Sequence, residues 1–329
     1  MRIAAFLALT FMGLSACVPP GHACPTPPPP VVDLDVERFY GDKAGSMVDA
    51  GKLAAHDAAV APLTAFLREV TQDADKALRR TQPKSQAETA ACTLSWLSSW
   101  ARGGALLGTM ATPQAEYQRK WDFGGLALAY LKLKPFARAE QSATIEPWLV
   151  KLADRCRAFF DDPQRQRNNH WYWLGLGLAA VGIGADSPRH WEMARGIVRD
   201  AARDIAADGT LPKEMERQGR ALFYHAFALM PLVMAAELGA ARGEDWYGFG
   251  DGAVHRLAKV THDGLVQPQS FDRLAGVAQE RPVNGRAGWL QLYAARFPGR
   301  LSTPHPIVAE GHRWIGGSAV LLKAALARQ

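Results

Sequence analysis

From about residue 44 to the end of the chain, apolar residues recur every three or four positions in one segment after another. That spacing lines up one face of an α-helix and no face of a strand. Segments near 53–81, 86–110, 114–133, 144–160, 165–183, 188–207, 213–241, 246–262, 286–297 and 312–328 each read as a helix. They are punctuated at Pro113, Pro135, Pro163, Pro188, Gly209, Pro212, Gly239, Gly264 and Pro298, where the backbone loses an amide donor or gains turn freedom. No run alternates polar and apolar residues in the manner of a half-buried strand. Ten or so helices on short loops make one all-α domain, and a chain of 329 residues that is 48% apolar can bury a sizeable core. Two architectures suit them: an α/α toroid of paired helices or a superhelical stack. No repeat of about 34 or 40 residues is present, which argues against a tetratricopeptide or HEAT array. A toroid also lets inner helices turn polar residues toward a central groove.

The N-terminus is of another kind. Arg2, the apolar run Ile3 to Leu14 and the small Ser15 and Ala16 make residues 1–16 an export signal, too short to stay in a bilayer as a spanning helix. Leu14-Ser15-Ala16-Cys17 is similar to a bacterial lipobox, so two outcomes stand: ordinary cleavage, or a lipid anchor on Cys17. Both put the mature chain outside the cytoplasm, in the periplasm or, if lipidated, on the outer membrane. Residues 17–43 form a Pro-rich leader and loop, with Pro27 to Pro30 of polyproline character, and 44–329 form the helical domain. An oxidising compartment favours cysteine pairing. Cys156 lies in the helical pattern of Leu152, Phe159 and Phe160 and reads as a buried thiol. Cys24 lies in a leader that needs tethering, so Cys24–Cys92 is the expected disulfide.

The net charge of +6 and pI near 9.2 favour an anionic partner. Lysines and arginines are scattered with no basic run, which speaks against nucleic acid. Within this background stands Asn168-Asn169-His170-Trp171-Tyr172-Trp173. Individually these residues suit a helix cap or core packing. Together they carry too many polar atoms to bury without purpose, and aromatic faces stack on sugar rings. A second group, Glu214 to His225, places Arg217, Arg220 and Tyr224 at i, i+3 and i+7 if it is helical throughout. A solvated face with a snorkelling tyrosine has the same spacing. His255 and His262 lack an acidic companion and read as ordinary histidines. Asp161-Asp162 before Pro163 reads as a turn, and neither a Gly-rich phosphate loop nor a GxSxG occurs.

Asn168-Asn169-His170-x-Tyr172-Trp173 followed by Arg217-x-x-Arg220-Ala221-Leu222-x-Tyr224-His225 resembles the fifth family of polysaccharide lyases, the bacterial alginate lyases. Cys92-Thr93-Leu94-Ser95-Trp96, Trp100-Ala101-Arg102, Arg119-Lys120-Trp121 and Glu140-Gln141-Ser142 agree with it, so the similarity runs from Cys24 to Gly316-Gly317. The resemblance implies an incomplete α/α toroid with a deep central groove, and a monomeric lyase that needs no metal or cofactor. Its substrate is then an anionic polyuronate, β-1,4-linked mannuronate first and glucuronate-type chains second. By the same resemblance Asn169 and Arg217 neutralise the uronate carboxylate, and His170 and Tyr224 transfer protons. Tyr224 is favoured as the acid, and Arg217 and Arg220 are placed to lower the pKa of its phenol. Tyr40, Lys43, Tyr117, Trp171, Trp173, Arg220 and Arg313 are the expected substrate contacts, with Asn168 and Tyr172 in support. Three positions depart from the family: Phe39-Tyr40 stands where relatives have Lys-Tyr, leaving the lysine role to Lys43; Trp171 replaces a small residue; and Arg313 is displaced by about one residue. Two other classes compete. A non-catalytic polyuronate-binding or export component would keep the groove without turnover. An inverting glycoside hydrolase needs two facing carboxylates, and no such pair accompanies the aromatic segments.

Overall fold

The computed structural model describes residues 24–281, 287–301 and 311–327. The export signal and Cys17 lie outside the described residues. Twelve α-helices occur among those described: α1 (Ala50–Arg79), α2 (Pro83–Arg102), α3 (Pro113–Leu133), α4 (Ala139–Phe159), α5 (Asn169–Gly184), α6 (Pro188–Asp204), α7 (Pro212–Met215), α8 (Ala221–Ala241), α9 (Phe249–Val266), α10 (Pro268–Ala275), α11 (Trp289–Arg296) and α12 (Ala319–Leu326). Their starts follow elementary chemistry. Asp49 accepts from the Lys52 amide to cap α1, Thr112 from Ala115 to cap α3, and Asn168 from His170 to cap α5. Proline opens α2, α3, α6, α7 and α10, where its missing N–H costs nothing.

Helices α3, α5 and α8 are buried almost all round, whereas α1, α2, α4, α6 and α9 each bury one stripe. Helix α1 joins the first set side by side, α1 on α3, α3 on α5 and α5 on α8, while α2, α4, α6 and α9 back onto them. Inner and outer helices thus alternate along the chain, which is the arrangement of an incomplete α/α toroid. By length and composition the stretch Gln218–Ala241 could cross a membrane, but it is 94% buried inside the fold, which makes α8 a core helix. The central helix α5 meets its neighbours closely. A β-carbon on Gly177 would sit 2.5 Å from the Phe123 ring of α3, and one on Gly175 would sit 2.7 Å from Ile197 of α6. Only bare backbone fits between those two neighbours.

Several segments differ from the sequence expectation. The helix expected over 86–110 stops at Arg102, because residues 103–111 pair with the leader instead. The Leu106 amide donates to the Val31 carbonyl at 2.8 Å, Leu34 to Thr109 at 2.9 Å, and Ala111 to Leu34 at 3.0 Å. The helix expected over 213–241 is broken into α7, a 3₁₀ turn at Gln218–Arg220 and α8, with Gln218 at a left-handed φ of 52°. The C-terminal segment is interrupted by left-handed Gly316 and Gly317. Helix α10 was hidden by Pro268, a helix starter that reads as a breaker.

The leader is fastened along α2. Cys24 and Cys92 form a disulfide across 68 residues of sequence, and Cys156 is a free, buried thiol. The indoles of Trp96 and Trp100 donate to the Pro25 and Pro28 carbonyls at 2.7 and 2.9 Å. Replacement Cys92→Ser is expected to lower unfolding stability by about 2–4 kcal/mol, measured by urea denaturation. The same variant should expose the leader to limited proteolysis while leaving the helical circular dichroism unchanged.

Candidate active site

The N-terminal half of α3, the first turns of α5 and α8, and the broken segment between α7 and α8 come together at one end of the inner helices. His170 is at the centre. Its ring is half-buried on the first turn of α5, stacked on Tyr117 at 3.8 Å between centroids and 9° between planes, with Trp121 5.3 Å away. Its Nδ1 lies 2.9 Å from the Nζ of Lys120, a lysine only 1% exposed. Burial holds the imidazole well below its ordinary pKa, and the Arg217 cation pushes the same way, so His170 is neutral at neutral pH.

Asn169, also on that first turn, is fully buried. Its backbone N–H and its Nδ2 donate to Glu214 Oε1 at 3.0 and 2.8 Å. Glu214 faces Arg217 Nε across 3.6 Å, so one buried carboxylate on α7 orients both the amide and the guanidinium. The amide retains a second N–H, and its Oδ1 has no partner.

Tyr224 lies on the first turn of α8 under two guanidiniums, Arg217 at 4.6 Å and Arg220 at 5.5 Å from its ring centre. The i, i+3, i+7 stripe is absent because the helix is broken before α8, yet the 3₁₀ turn still brings both cations over the ring. Their expected lowering of the phenol's pKa does not prevail: burial, followed by Tyr40, drives it well above its usual value against the two arginines. Tyr224 therefore holds its proton. Residues 40–48 close over it. The Tyr40 and Tyr224 hydroxyls share a hydrogen bond, Arg220 Nη1 donates to Tyr40 Oη at 2.9 Å, and Arg217 Nη1 donates to the Ala44 carbonyl at 2.6 Å. Asp42 accepts from the Ser46 and Met47 amides at 3.0 and 2.9 Å to shape this loop.

The other expected contacts are distributed unevenly. Tyr40, Tyr117 and Arg220 are in the cluster. Arg313 lies on the same side, its guanidinium 4.7 Å from the Trp314 ring, which in turn stacks 4.7 Å from Trp121. Lys43 stands exposed on the loop, outside the cluster. Trp171, expected in the groove wall, points elsewhere: its indole donates to Asp200 of α6 at 3.2 Å and its ring lies beneath Arg167 and Arg157. One residue beyond His170 means about 100° around the helix, which turns Trp171 toward the outer layer. Trp173, also expected in the wall, is 1% exposed and wedged between Phe227 and Trp314, so it is floor beneath the site. Tyr172 donates to Asp204 at 2.8 Å, and Asn168 caps α5. Sequence reasoning gave no role to Lys120, Glu214 or Asp122. For Lys120 a signal existed, since Tyr117, Lys120 and Trp121 share one helix face by spacing. Nothing in sequence marks Glu214 as buried. No three His, Cys, Asp or Glu side chains assemble as a metal cage among the described residues.

Asp122 accepts from Gln118 Nε2 at 2.9 Å and from the Trp314 indole at 3.0 Å. Its full burial raises its pKa from 3.8 to about 6. The unfolded chain therefore holds fewer protons than the folded one between these values, and stability falls as pH rises through that interval. The loss amounts to up to about 3 kcal/mol. In Asp122→Asn the decline in urea stability between about pH 4 and 6 should be shallower by that order.

Against known proteins, the alginate lyase family model matches residues 37–271. A polysaccharide lyase of Stenotrophomonas maltophilia is 42% identical over 279 residues, covering 84% of this chain and 82% of that protein. An alginate lyase of Azotobacter vinelandii is 34% identical over 289 residues, covering 84% and 76%. Among solved structures, alginate lyase A1-III in complex with a tetrasaccharide superposes with a TM-score of 0.78 at 24% identity, over 91% of this chain and 85% of that one. A second structure of alginate lyase A1-III, from Sphingomonas species A1, gives 0.73. Fold and site together define a toroidal polysaccharide lyase. The chain belongs to the alginate lyase family.

Proposed function

We propose that this enzyme cleaves β-1,4-linked mannuronate in alginate by β-elimination, acting outside the cytoplasm. The observation that carries the reading is the pairing of a neutral His170 with a protonated Tyr224 around the same guanidinium, Arg217. Removing the C5 proton of a uronate is difficult while its carboxylate is ionised. Arg217 and the remaining N–H of Asn169 bind that carboxylate and stabilise the negative charge that develops on it. The N-terminal ends of α5 and α8 add partial positive charge to the same place. His170 takes the C5 proton, the C–H electrons become the C4=C5 double bond, and the C4–O bond breaks. Tyr224 delivers its proton to the departing O4. The products are a 4,5-unsaturated uronate end and a chain bearing a new hydroxyl. In a mannuronate residue the C5 proton and the leaving oxygen share one side, which suits a base and an acid grouped around one arginine.

Relatives named alginate lyases from Azotobacter vinelandii and Pseudomonas aeruginosa, and the tetrasaccharide held by A1-III, support the polymer assignment. Glucuronate-type chains carry the same carboxylate and are the second substrate class. The Cys24–Cys92 disulfide and the signal-like residues 1–16 support export, with Cys17 available as a lipid anchor.

The test is a panel of poly-mannuronate, poly-guluronate and poly-glucuronate followed by the ultraviolet absorbance of the new double bond. Poly-mannuronate should give the fastest rise, and folded protein that produces none from any of them would overturn the reading. Either His170→Ala or Tyr224→Phe should reduce kcat by about 10²–10⁴-fold. The pH profile follows from the directions of the shifts. Activity needs His170 neutral and Tyr224 protonated, so the acid limb of kcat/KM should lie below about 6.5 and the alkaline limb above about 10.

A further inference from the structure

Burial of Lys120 calls for an explanation that packing does not supply. The other deeply buried lysine of α3, Lys132, meets Asp75 Oδ1 and the Gly316 carbonyl, each at 2.5 Å. Among the described residues no carboxylate pairs with Lys120. Its polar contact is His170 Nδ1; the Tyr117 and Trp121 rings lie 5.2 and 4.4 Å from Nζ.

We propose that Lys120 is a positioning residue that assigns His170 its working tautomer: as a neutral amine it accepts the Nδ1–H, which leaves Nε2 as the free, proton-accepting nitrogen. This rests on the reading of His170 as the proton acceptor. An imidazole has two nitrogens, and neutral imidazole carries its proton on one of them. The 2.9 Å contact occupies Nδ1, and stacking on Tyr117 keeps the ring from flipping. An ammonium has three donors and no acceptor, so a charged Lys120 would force Nδ1 to accept. The proton would then sit on Nε2, and the base would be blocked.

The surroundings favour the uncharged amine. Burial lowers the pKa of Lys120 well below its usual value. From α4 it faces the Cys156 thiol, itself kept protonated by burial with its pKa pushed up to about 12. From its own helix it faces Tyr117 and Trp121, and from α5 His170. The two rings attract a cation, but they do not replace the water and counter-ion that an ammonium loses here.

The experiment compares the parent with Lys120→Met, which keeps the length of the side chain and removes the nitrogen. In ¹⁵N-histidine spectra near neutral pH, parent His170 should show its proton on Nδ1, and the Met variant a mixture of tautomers. The variant should lose about 100-fold in kcat with KM changed less than about threefold. Its acid limb should not rise, because a neutral amine adds no charge to lower the His170 pKa; a rise toward about 6.5 would mark a charged Lys120 and overturn the assignment. A parent with the proton on Nε2, or a folded Met variant with kcat within about threefold of the parent, would overturn the assignment. If the Met variant does not fold, the parent spectrum decides alone. His170→Ala separates the two readings: retained activity there sinks the catalytic role of His170, while the tautomer still reports on Lys120.

Discussion

The contact of α5 with bare backbone facing its neighbours sets the geometry of everything else. At Gly175 and Gly177 there is room for no side chain between Ile197 of α6 and Phe123 of α3. Close-packed interiors transmit position with little slack, so the register of α5 between those two helices is fixed within a methyl group's width. Asn169 and His170 sit two turns N-terminal of these glycines, on the same rigid helix. His170, the proposed base, is therefore located by a packing constraint remote from the groove, and its ring is then clamped by Tyr117 and Lys120 of α3. A site carried on helix ends in this way needs few loop residues to be accurate.

Charge is distributed with a matching economy. Arg217, Arg220 and Arg313 converge on the groove, and the buried carboxylate beside Arg217 is that of Glu214. A second acid beside Arg217 would neutralise the guanidinium proposed to meet the substrate. Glu214 spends its Oε1 on the Asn169 amide and lies 3.6 Å from Arg217, far enough to orient the cation without closing its donors. Burial raises the pKa of Glu214, which weakens its hold on Arg217.

The sequence made the helices legible because their signal is local: a 3.6-residue period with proline or glycine at the ends. Breaks were harder. Gln218 adopts a left-handed conformation without being glycine, and the turn it makes is imposed by Gln279, which accepts from the Leu222 amide and donates to the Gln218 carbonyl from 61 residues away. No window around Gln218 contains that information. The chemistry-bearing residues were visible through family resemblance, but resemblance did not separate site from scaffold. Trp96 and Trp100 fasten the leader, and Gln141 caps α4 through the Arg138 amide. Trp171 faces α6 because adjacent residues on a helix face different layers. The sign of the Tyr224 shift was out of reach for the same reason, since burial is a property of the assembled groove and two arginines in sequence say nothing of it.

The broken helix and the leader together explain how Tyr224 can be both buried and useful. A continuous helix from 213 to 241 would carry Arg217 along the axis of α8, about two turns away from the phenol. The 3₁₀ turn folds it back over the ring, where its Nη1 also reaches the Ala44 carbonyl. That carbonyl belongs to the loop at the end of the leader, which the disulfide and two indole hydrogen bonds hold against α2. Tyr40 from the same loop covers the Tyr224 hydroxyl. Tyr224 meets solvent or substrate only when that hydroxyl contact is exchanged for another, and a leaving O4 offers the same hydrogen-bonding chemistry as the Tyr40 oxygen it would replace. The phenol is thus kept protonated by its cover, which is the state its proposed role as acid toward a leaving oxygen requires.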